Sequence, residues 1–292
     1  MTATVRFRRI CSTGLVAILA VLPFSTLASG HGYAGWSGAT VERSMHVLFI
    51  GNSITYSNNL PEVFESISQG KMQADMFVRP GSTLSELIKD PRLGRLLASG
   101  RYQAVVVQEK GGNVFCMHSA QERLSADCQE MQSAHIELAR VSQLAGAMVV
   151  YLGTYQSLPA ASQALVAIEK DLSHMMNSRY AQVSERLRSL RQDEPALPWL
   201  QDDGAHPGSA TTALMATAVY VAATGRSPAA EDLCIRPSLF RPYGEVAVLA
   251  QHNSPSSDSQ RECLLDSVVM GALIAATRPE AKAAGSEDQE NE

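Results

Sequence analysis

The chain has no excess of positive charge, few aromatic residues and no glycine-rich or proline-rich tract. Lys and Arg number 24 against 29 Asp and Glu, which leaves a formal net charge of −5. A protein that mainly binds nucleic acid needs a basic excess to neutralise phosphates, so the charge balance argues against that class. With 20 Gly and 13 Pro in 292 residues, a fibrous or low-complexity chain is also excluded. The hydrophobic share of 45% indicates a globular protein with a sizeable core.

The N-terminus has the three-part layout of a secretory signal peptide. Arg6, Arg8 and Arg9 precede an apolar run over residues 15–22, and small residues follow it. This run is short for a membrane span, so residues 1–30 are predicted to be a cleaved signal, with an uncleaved N-terminal anchor as the alternative. We therefore expect a secreted or periplasmic protein that has no stable membrane span after signal removal.

Cysteine is scarce, and one of the five residues, Cys11, falls within the predicted signal. The other four show no CxxC or Cys/His spacing typical of zinc, so no metal site is expected. Four cysteines allow three pairings. We favour Cys116–Cys128 and Cys234–Cys263, because pairing nearest neighbours closes two short loops; four free buried thiols are the alternative.

Short apolar runs alternate with helical patterns through most of the chain. Strands are predicted at residues 46–51, 74–78, 103–108, 147–153 and 180–183. Helices are predicted at residues 60–70, 82–89, 121–144, 159–177, 184–191, 209–225 and 264–276, with Ser209 as the cap of the helix that ends at Gly225. Apolar strands separated by helices predict a parallel sheet covered on both faces.

The predicted architecture is an α/β fold, a flavodoxin-like doubly wound three-layer sandwich with five parallel strands. One domain is expected over residues 31–278, in which the loop-rich segment 226–263 wraps the core. Residues 279–292 are polar and acidic and are expected to form a disordered tail. Ligands of such folds bind beyond the carboxyl ends of the strands, so the residues that follow each strand are the candidates for a site.

A serine follows the first predicted strand in the sequence Gly51-Asn52-Ser53. A hydroxyl at the end of a strand and the start of a helix can be exposed as an acyl-accepting nucleophile. A plain Asn-Ser turn is the alternative. The spacing and the lysine of a phosphate-binding loop are both missing.

A carboxylate precedes a histidine by three residues in Asp203-Gly204-Ala205-His206. In a turn that contains glycine, the Asp203 carboxylate can accept a hydrogen bond from the imidazole Nδ1–H, which leaves the other ring nitrogen free to take a hydroxyl proton. Asp202 is a rival for the acid. Ordinary polar residues of a surface loop are the other interpretation.

Together, the two motifs resemble those of the SGNH hydrolases, the superfamily of GDSL-like esterases and lipases. VLFIGNSIT resembles the first block of that family, DDGAHPG resembles the last, and Arg79-Pro80-Gly81-Ser82 is placed like the second. The resemblance covers residues 46–225. The third block usually carries an Asn, whereas this strand ends Val107-Gln108-Glu109, as in a sub-branch of the superfamily with a Gln-Glu strand end.

The resemblance implies an ester hydrolase that forms an acyl-enzyme. Ser53 would be the nucleophile, His206 the base and Asp203 the acid that holds His206, with no metal or organic cofactor. The substrate would be a small acyl ester, such as an O-acetyl group on a carbohydrate. A non-catalytic glycan-binding module on the same fold and an O-acyltransferase with the same triad are the alternatives. The acyl chain length, the alcohol half and the oligomeric state stay open.

The resemblance also implies an oxyanion hole. Its donors would be the backbone N–H groups of Ser53 and Gly81 and the side-chain amide of Gln108, with Asn113 as a second candidate for the third donor. Further expected substrate contacts are Asn52, Glu109 and Asn113.

Overall fold

The computed structural model describes residues 45–235, 247–249 and 262–278. The predicted signal (residues 1–30), the predicted tail (residues 279–292) and residues 236–246 and 250–261 of the predicted wrapping segment lie outside the described residues.

The strands form one large sheet and one small one. In chain order they are β1 (Met45–Gly51), β2 (Met72–Val78), β3 (Ala104–Gln108), β4 (Met148–Leu152), β5 (Arg179–Ala181), β6 (Leu233–Ile235), β7 (Ala247–Leu249) and β8 (Glu262–Leu265). The large sheet has the order β5-β4-β3-β1-β2-β7, and β6 pairs with β8 in the small one. Strands β1 to β5 are parallel, in the order of flavodoxin-like folds, which confirms the predicted fold class.

A sixth strand extends the large sheet and was not predicted. Strand β7 pairs antiparallel with β2, so the parallel sheet carries an antiparallel strand beside it. Its three residues are too few to show a strand period inside a loop-rich segment.

Helices cover both faces of the large sheet in the described part of the chain. They are α1 (Ser53–Tyr56), α2 (Leu60–Ile67), α3 (Leu84–Leu87), α4 (Pro91–Ala98), α5 (Ala120–Arg123), α6 (Ala126–Leu144), α7 (Pro159–Met175), α8 (Ser184–Asp193), α9 (Ser209–Thr224) and α10 (Ser267–Thr277), and a 3₁₀ helix spans Asn113–Met117.

Strand β1 divides the core into two layers. Val47 and Phe49 belong to the cluster that includes residues of α2, α8, α9 and α10. Leu48 and Ile50 belong to the cluster on the other face, which includes residues of α3, α4, α6 and α7. Because side chains alternate along a strand, one buried strand supplies both cores. The strand is therefore apolar throughout, as the sequence indicates.

The helix predicted over residues 121–144 is two helices. Ser125 has extended backbone angles, and its hydroxyl accepts a hydrogen bond from Cys128 N at 3.3 Å, so it caps α6 and ends the preceding turn. The prediction that Ser209 caps α9 is also wrong, because the N-cap is Gly208 and Ser209 is the first helical residue. Helix α4 was not predicted; Asp90 caps it, with Pro91 in its first turn.

Both predicted disulfides are present. Cys116–Cys128 ties the 3₁₀ helix to α6, and Cys234–Cys263 ties β6 to β8. Such bonds persist in oxidising compartments, so they fit an extracellular protein. Within the described ranges, no helix combines the length and the apolar character that a membrane crossing requires.

Candidate active site

A cavity of about 640 Å³ opens at the carboxyl ends of the parallel strands. Its lining includes Ser53 after β1, Gly81 after β2, Lys110 after β3 and Tyr155 after β4, together with His206 from the loop before α9. Parallel strands bring their carboxyl ends to one edge of the sheet, which explains why the segments after β1, β2, β3 and β4 meet there. The loop of His206 is the fifth segment at this edge.

Ser53 is the first residue of α1 and is half-buried at the cavity wall. The preceding turn is held by Asn52, whose side-chain oxygen accepts a hydrogen bond from Ile54 N at 3.1 Å and whose amide donates to Ser82 O at 3.1 Å. Because the first N–H groups of a helix lack intrahelical acceptors, the Ser53 N–H is available to a ligand. Asn52 also lines the cavity, but its amide is engaged in positioning the Ser53 turn.

Position 51 requires a glycine, because two side chains lie where a Cβ atom would be. A Cβ at this position would lie 2.3 Å from Thr55 Oγ1 and 2.6 Å from Gln108 Oε1, closer than real Cβ contacts allow. Gly208, in the loop of His206, is similar, since a Cβ there would lie 2.1 Å from Pro198 O. The glycines of the first and last motifs therefore allow both segments to pack tightly.

Asp203 holds His206. Its Oδ2 lies 2.5 Å from His206 Nδ1, and its Oδ1 accepts hydrogen bonds from the backbone N–H groups of Ala205 and His206, each at 2.9 Å. The hydrogen bond from His206, followed by the two backbone bonds, lowers the pKa of Asp203 to about 2. An ionised carboxylate at Nδ1 keeps that nitrogen protonated, so Nε2 is the ring nitrogen available as a base. The carboxylate in contact is that of Asp203 rather than Asp202.

Ser53 and His206 line the same cavity. No hydrogen bond joins the Ser53 hydroxyl to the His206 ring in the described part of the chain. In structures without a ligand, hydrogen bonds of this kind are often long and tighten only when substrate binds.

Two further side chains hold the His206 loop, and the sequence did not single out either for that role. The Tyr155 hydroxyl donates to Ala205 O at 2.7 Å. On the other side, the Asn58 amide donates to Pro207 O and to Thr212 Oγ1. These bonds join the loop to the segments after β4 and α1, so the position of His206 depends on residues far away in the sequence.

Removing the Tyr155 hydroxyl should loosen this loop. For the ester hydrolysis that the motif resemblance implies, we expect Tyr155→Phe to lower kcat about three- to tenfold, because one net hydrogen bond is worth about 1 kcal/mol. Steady-state kinetics with p-nitrophenyl acetate would measure this, with Tyr220→Phe in α9 as the matched control. An unchanged kcat in Tyr155→Phe would show that the bond to Ala205 does not position His206.

Gln108 is not among the residues that line the cavity, and its expected role as third oxyanion donor stays a prediction. Its Oε1 accepts hydrogen bonds from Asn52 N at 3.3 Å and from Thr55 Oγ1 at 2.9 Å, and its Nε2 donates to Glu109 O. The side chain is 1% exposed and lies beneath the turn of Ser53. Gln108 therefore supports the nucleophile turn from below, and one of the two N–H bonds of its amide is donated to Glu109 O.

Glu109 and Asn113 do not line the cavity in the described structure either, and their expected contacts with substrate stay predictions. Glu109 is buried, and its carboxylate accepts hydrogen bonds from Lys110 N at 2.6 Å and Leu84 N at 3.3 Å. The Asn113 side chain also bonds to Glu109. Glu109 thus joins two loops that border the cavity.

A buried polar layer lies behind these loops. Burial raises the pKa of Glu109 to about 7 and lowers that of His135 to about 4. His135 Nδ1 donates to Met131 O at 2.8 Å, while its Nε2 lies 3.6 Å from Glu109 Oε2. Because the lowered pKa leaves the His135 ring uncharged near neutral pH, this contact is not a salt bridge at that pH.

Glu169 is a second buried carboxyl group of this layer. It accepts hydrogen bonds from Thr154 N and Thr154 Oγ1, at 2.8 and 3.0 Å, and from the Tyr180 hydroxyl at 2.7 Å. Desolvation outweighs these bonds and raises the pKa of Glu169 to about 7. The folded state therefore keeps the proton of Glu169 to a higher pH than the unfolded chain, in which the pKa of a glutamate is near 4.5.

This shift predicts a stability that falls as pH rises. Between the unfolded pKa of 4.5 and the folded pKa of about 7 the folded state binds more protons, so the free energy of unfolding decreases through that window and levels off above it. We expect Glu169→Gln to remove on the order of 3 kcal/mol of this decrease. Urea unfolding at several pH values would measure it, with Glu122→Gln, on the exposed face of α5, as the control. Equal pH slopes for wild type and Glu169→Gln would contradict the prediction.

This chain is similar to several solved structures. No protein-family model matches the chain, and no curated protein matches it. A chain assigned as an SGNH hydrolase from Slackia heliotrinireducens is 18% identical, with 62% of this chain and 99% of that chain covered and a TM-score of 0.49. The structural neighbours of the present chain therefore include SGNH hydrolases. A chain assigned as a GDSL-like lipase from Parabacteroides merdae is 16% identical, with 62% and 96% covered and a TM-score of 0.45.

A third similar structure is the acetylxylan esterase Axe2 from Geobacillus stearothermophilus. It is 14% identical, with 60% of this chain and 92% of that chain covered and a TM-score of 0.44. The neighbours thus include the family that the sequence motifs resemble.

Proposed function

We propose that this protein is an exported serine hydrolase of small O-acyl esters, including O-acetyl esters of carbohydrates. The observation that carries the proposal is the contact between Asp203 and His206 at the cavity that Ser53 also lines. An ionised acid on Nδ1, a free Nε2 and a serine at the same cavity are the parts that a Ser-His-Asp mechanism needs. The two disulfides support export.

In the proposed reaction, Ser53 Oγ attacks the ester carbonyl while His206 Nε2 takes its proton. Asp203 stays ionised and stabilises the imidazolium that forms. His206 then gives the proton to the leaving alcohol, and an acyl group remains on Ser53. Water attacks this acyl-enzyme with His206 again as the base, which releases the acid and restores the serine hydroxyl.

The negative charge on the carbonyl oxygen needs hydrogen-bond donors. The N–H of Ser53, at the start of α1, and the N–H of Gly81, which lines the same cavity, are the donors we propose. Each such donor typically contributes about a hundred- to a thousandfold in rate. Gln108 is not one of the donors we propose, because it does not line the cavity.

The test combines turnover with labelling. We expect the wild-type protein to hydrolyse p-nitrophenyl esters of short acyl chains faster than those of long ones. A fluorophosphonate should add one adduct, located by peptide mass spectrometry on the peptide that contains Ser53. Absence of both turnover and labelling would favour a glycan-binding module. Product that forms only when an acceptor alcohol is added would favour an O-acyltransferase.

A further inference from the structure

The wall of the cavity is positively charged, although the chain as a whole is not. Lys110, from the loop after β3, and Arg188 and Arg191, from α8, all line it. Neither Asp nor Glu occurs among the described lining residues, whereas the whole chain has more acidic than basic residues. The excess of cations is therefore a property of this cavity and not of the composition.

The two arginines lie on one face of α8, three residues apart, so both side chains face the cavity. Arg188 is already paired, with its Nη2 2.9 Å and its Nε 3.2 Å from the Glu185 carboxylate. Arg191 and Lys110 form no ion pair with any residue that the structure describes. Of the other carboxylates near the cavity, Asp203 is engaged with His206, and Glu109 is buried and accepts hydrogen bonds from Lys110 N and Leu84 N. Two uncompensated positive charges are thus left at the cavity.

The size of the cavity indicates that these charges meet the substrate. About 640 Å³ is within the range of pockets that hold ligands much larger than an acetyl group. A substrate larger than an acetyl ester can therefore place a remote part inside the same cavity while its ester is at Ser53. Gln156 and Gln192 also line it and offer neutral groups that can hydrogen-bond to hydroxyls.

We propose that the cavity selects esters carrying a carboxylate remote from the scissile bond, with Lys110 and Arg191 as the specificity-determining residues. The planar guanidinium of Arg191 matches a carboxylate with two parallel hydrogen bonds, and Lys110 adds a compact positive charge. A cleft lined by charges of one sign also concentrates ligands of the opposite sign and speeds their association. This inference rests on the proposed ester hydrolysis and names its substrate class, an acylated sugar acid or the half-ester of a dicarboxylic acid.

Two pairs of esters test the proposal and distinguish the two sources of the carboxylate. For the acyl half, p-nitrophenyl hydrogen glutarate is compared with p-nitrophenyl methyl glutarate. For the alcohol half, acetylated methyl glucuronide is compared with acetylated methyl glucoside. In at least one pair, we expect kcat/KM to be about tenfold or more higher for the charged ester at low salt. This preference should shrink when the salt concentration is raised, because ions screen exposed charges.

The variants Arg191→Gln and Lys110→Gln should each lower the charged-to-neutral ratio of kcat/KM about three- to tenfold. Arg95→Gln, at an exposed arginine of α4 that does not line the cavity, is the matched control and should keep the wild-type ratio. A ratio near one in both pairs, or a ratio unchanged in both cavity variants, would overturn the inference.

The same assays separate this inference from the proposed function. Hydrolysis of both members of a pair, abolished by Ser53→Ala but without a charge preference, would overturn the inference and leave the proposed function standing. If no ester is hydrolysed and Ser53 is not labelled, both are overturned.

Discussion

Replacing Ser53 with alanine is expected to lower kcat for hydrolysis of p-nitrophenyl acetate about 10⁴- to 10⁶-fold. The substitution removes only the hydroxyl oxygen that would form the acyl-enzyme. The turn itself is held by Asn52 and Gln108 and not by the Ser53 side chain, so the fold and the cavity should be unchanged. Any remaining rate would come from donors that still stabilise the carbonyl oxygen.

The matched control for this variant is Ser157→Ala. Ser157 is an exposed serine at the same cavity, so this variant tests whether the loss of any serine hydroxyl there lowers kcat. We expect its kcat to stay within about threefold of wild type, because surface substitutions rarely have large effects. If Ser53→Ala retained a tenth of the wild-type kcat with an unchanged thermal unfolding midpoint, Ser53 would not be the nucleophile.

Asp203→Asn is expected to lower kcat about 10⁴-fold. The carboxylate accepts from His206 Nδ1 and from two backbone N–H groups, and the asparagine oxygen can replace only part of this set. If the new amide donates to Nδ1, it selects the tautomer in which Nε2 carries the proton, and His206 can no longer accept one from Ser53. Asparagine also removes the negative charge that stabilises the imidazolium.

Asp202→Asn is the control for this prediction, since it makes the same chemical change one residue away and does not touch the contact with His206. We expect its kcat to be within about twofold of wild type. The pKa of Asp203, lowered to about 2, also predicts that its carboxylate stays ionised throughout the pH range of an ordinary assay. Comparable losses in Asp202→Asn and Asp203→Asn would argue that general loop charge, and not the bond to His206, supports activity.

The parts of the site that sequence predicts well are local. Asp203 and His206 are three residues apart in one turn, so their contact follows from short-range geometry. The cysteine pairs likewise join neighbours along the chain, 12 and 29 residues apart. The directions of the polar side chains after β3 could not be predicted in this way; these are Gln108, Glu109 and Asn113. The sequence at the end of a strand does not indicate whether such side chains point into a cavity or beneath a neighbouring turn.

The sequence was sufficient for the parallel sheet and for the contact between Asp203 and His206, because strand periodicity and short spacings depend on interactions between near neighbours. The tertiary structure decided three features: the direction of Gln108, the support of the His206 loop by Tyr155 and Asn58, and the presence of Lys110 and Arg191 at one cavity. These side chains come from segments that only the packed sheet brings to one edge. Contacts between distant segments depend on how all of the layers pack, and no single stretch of sequence contains that information.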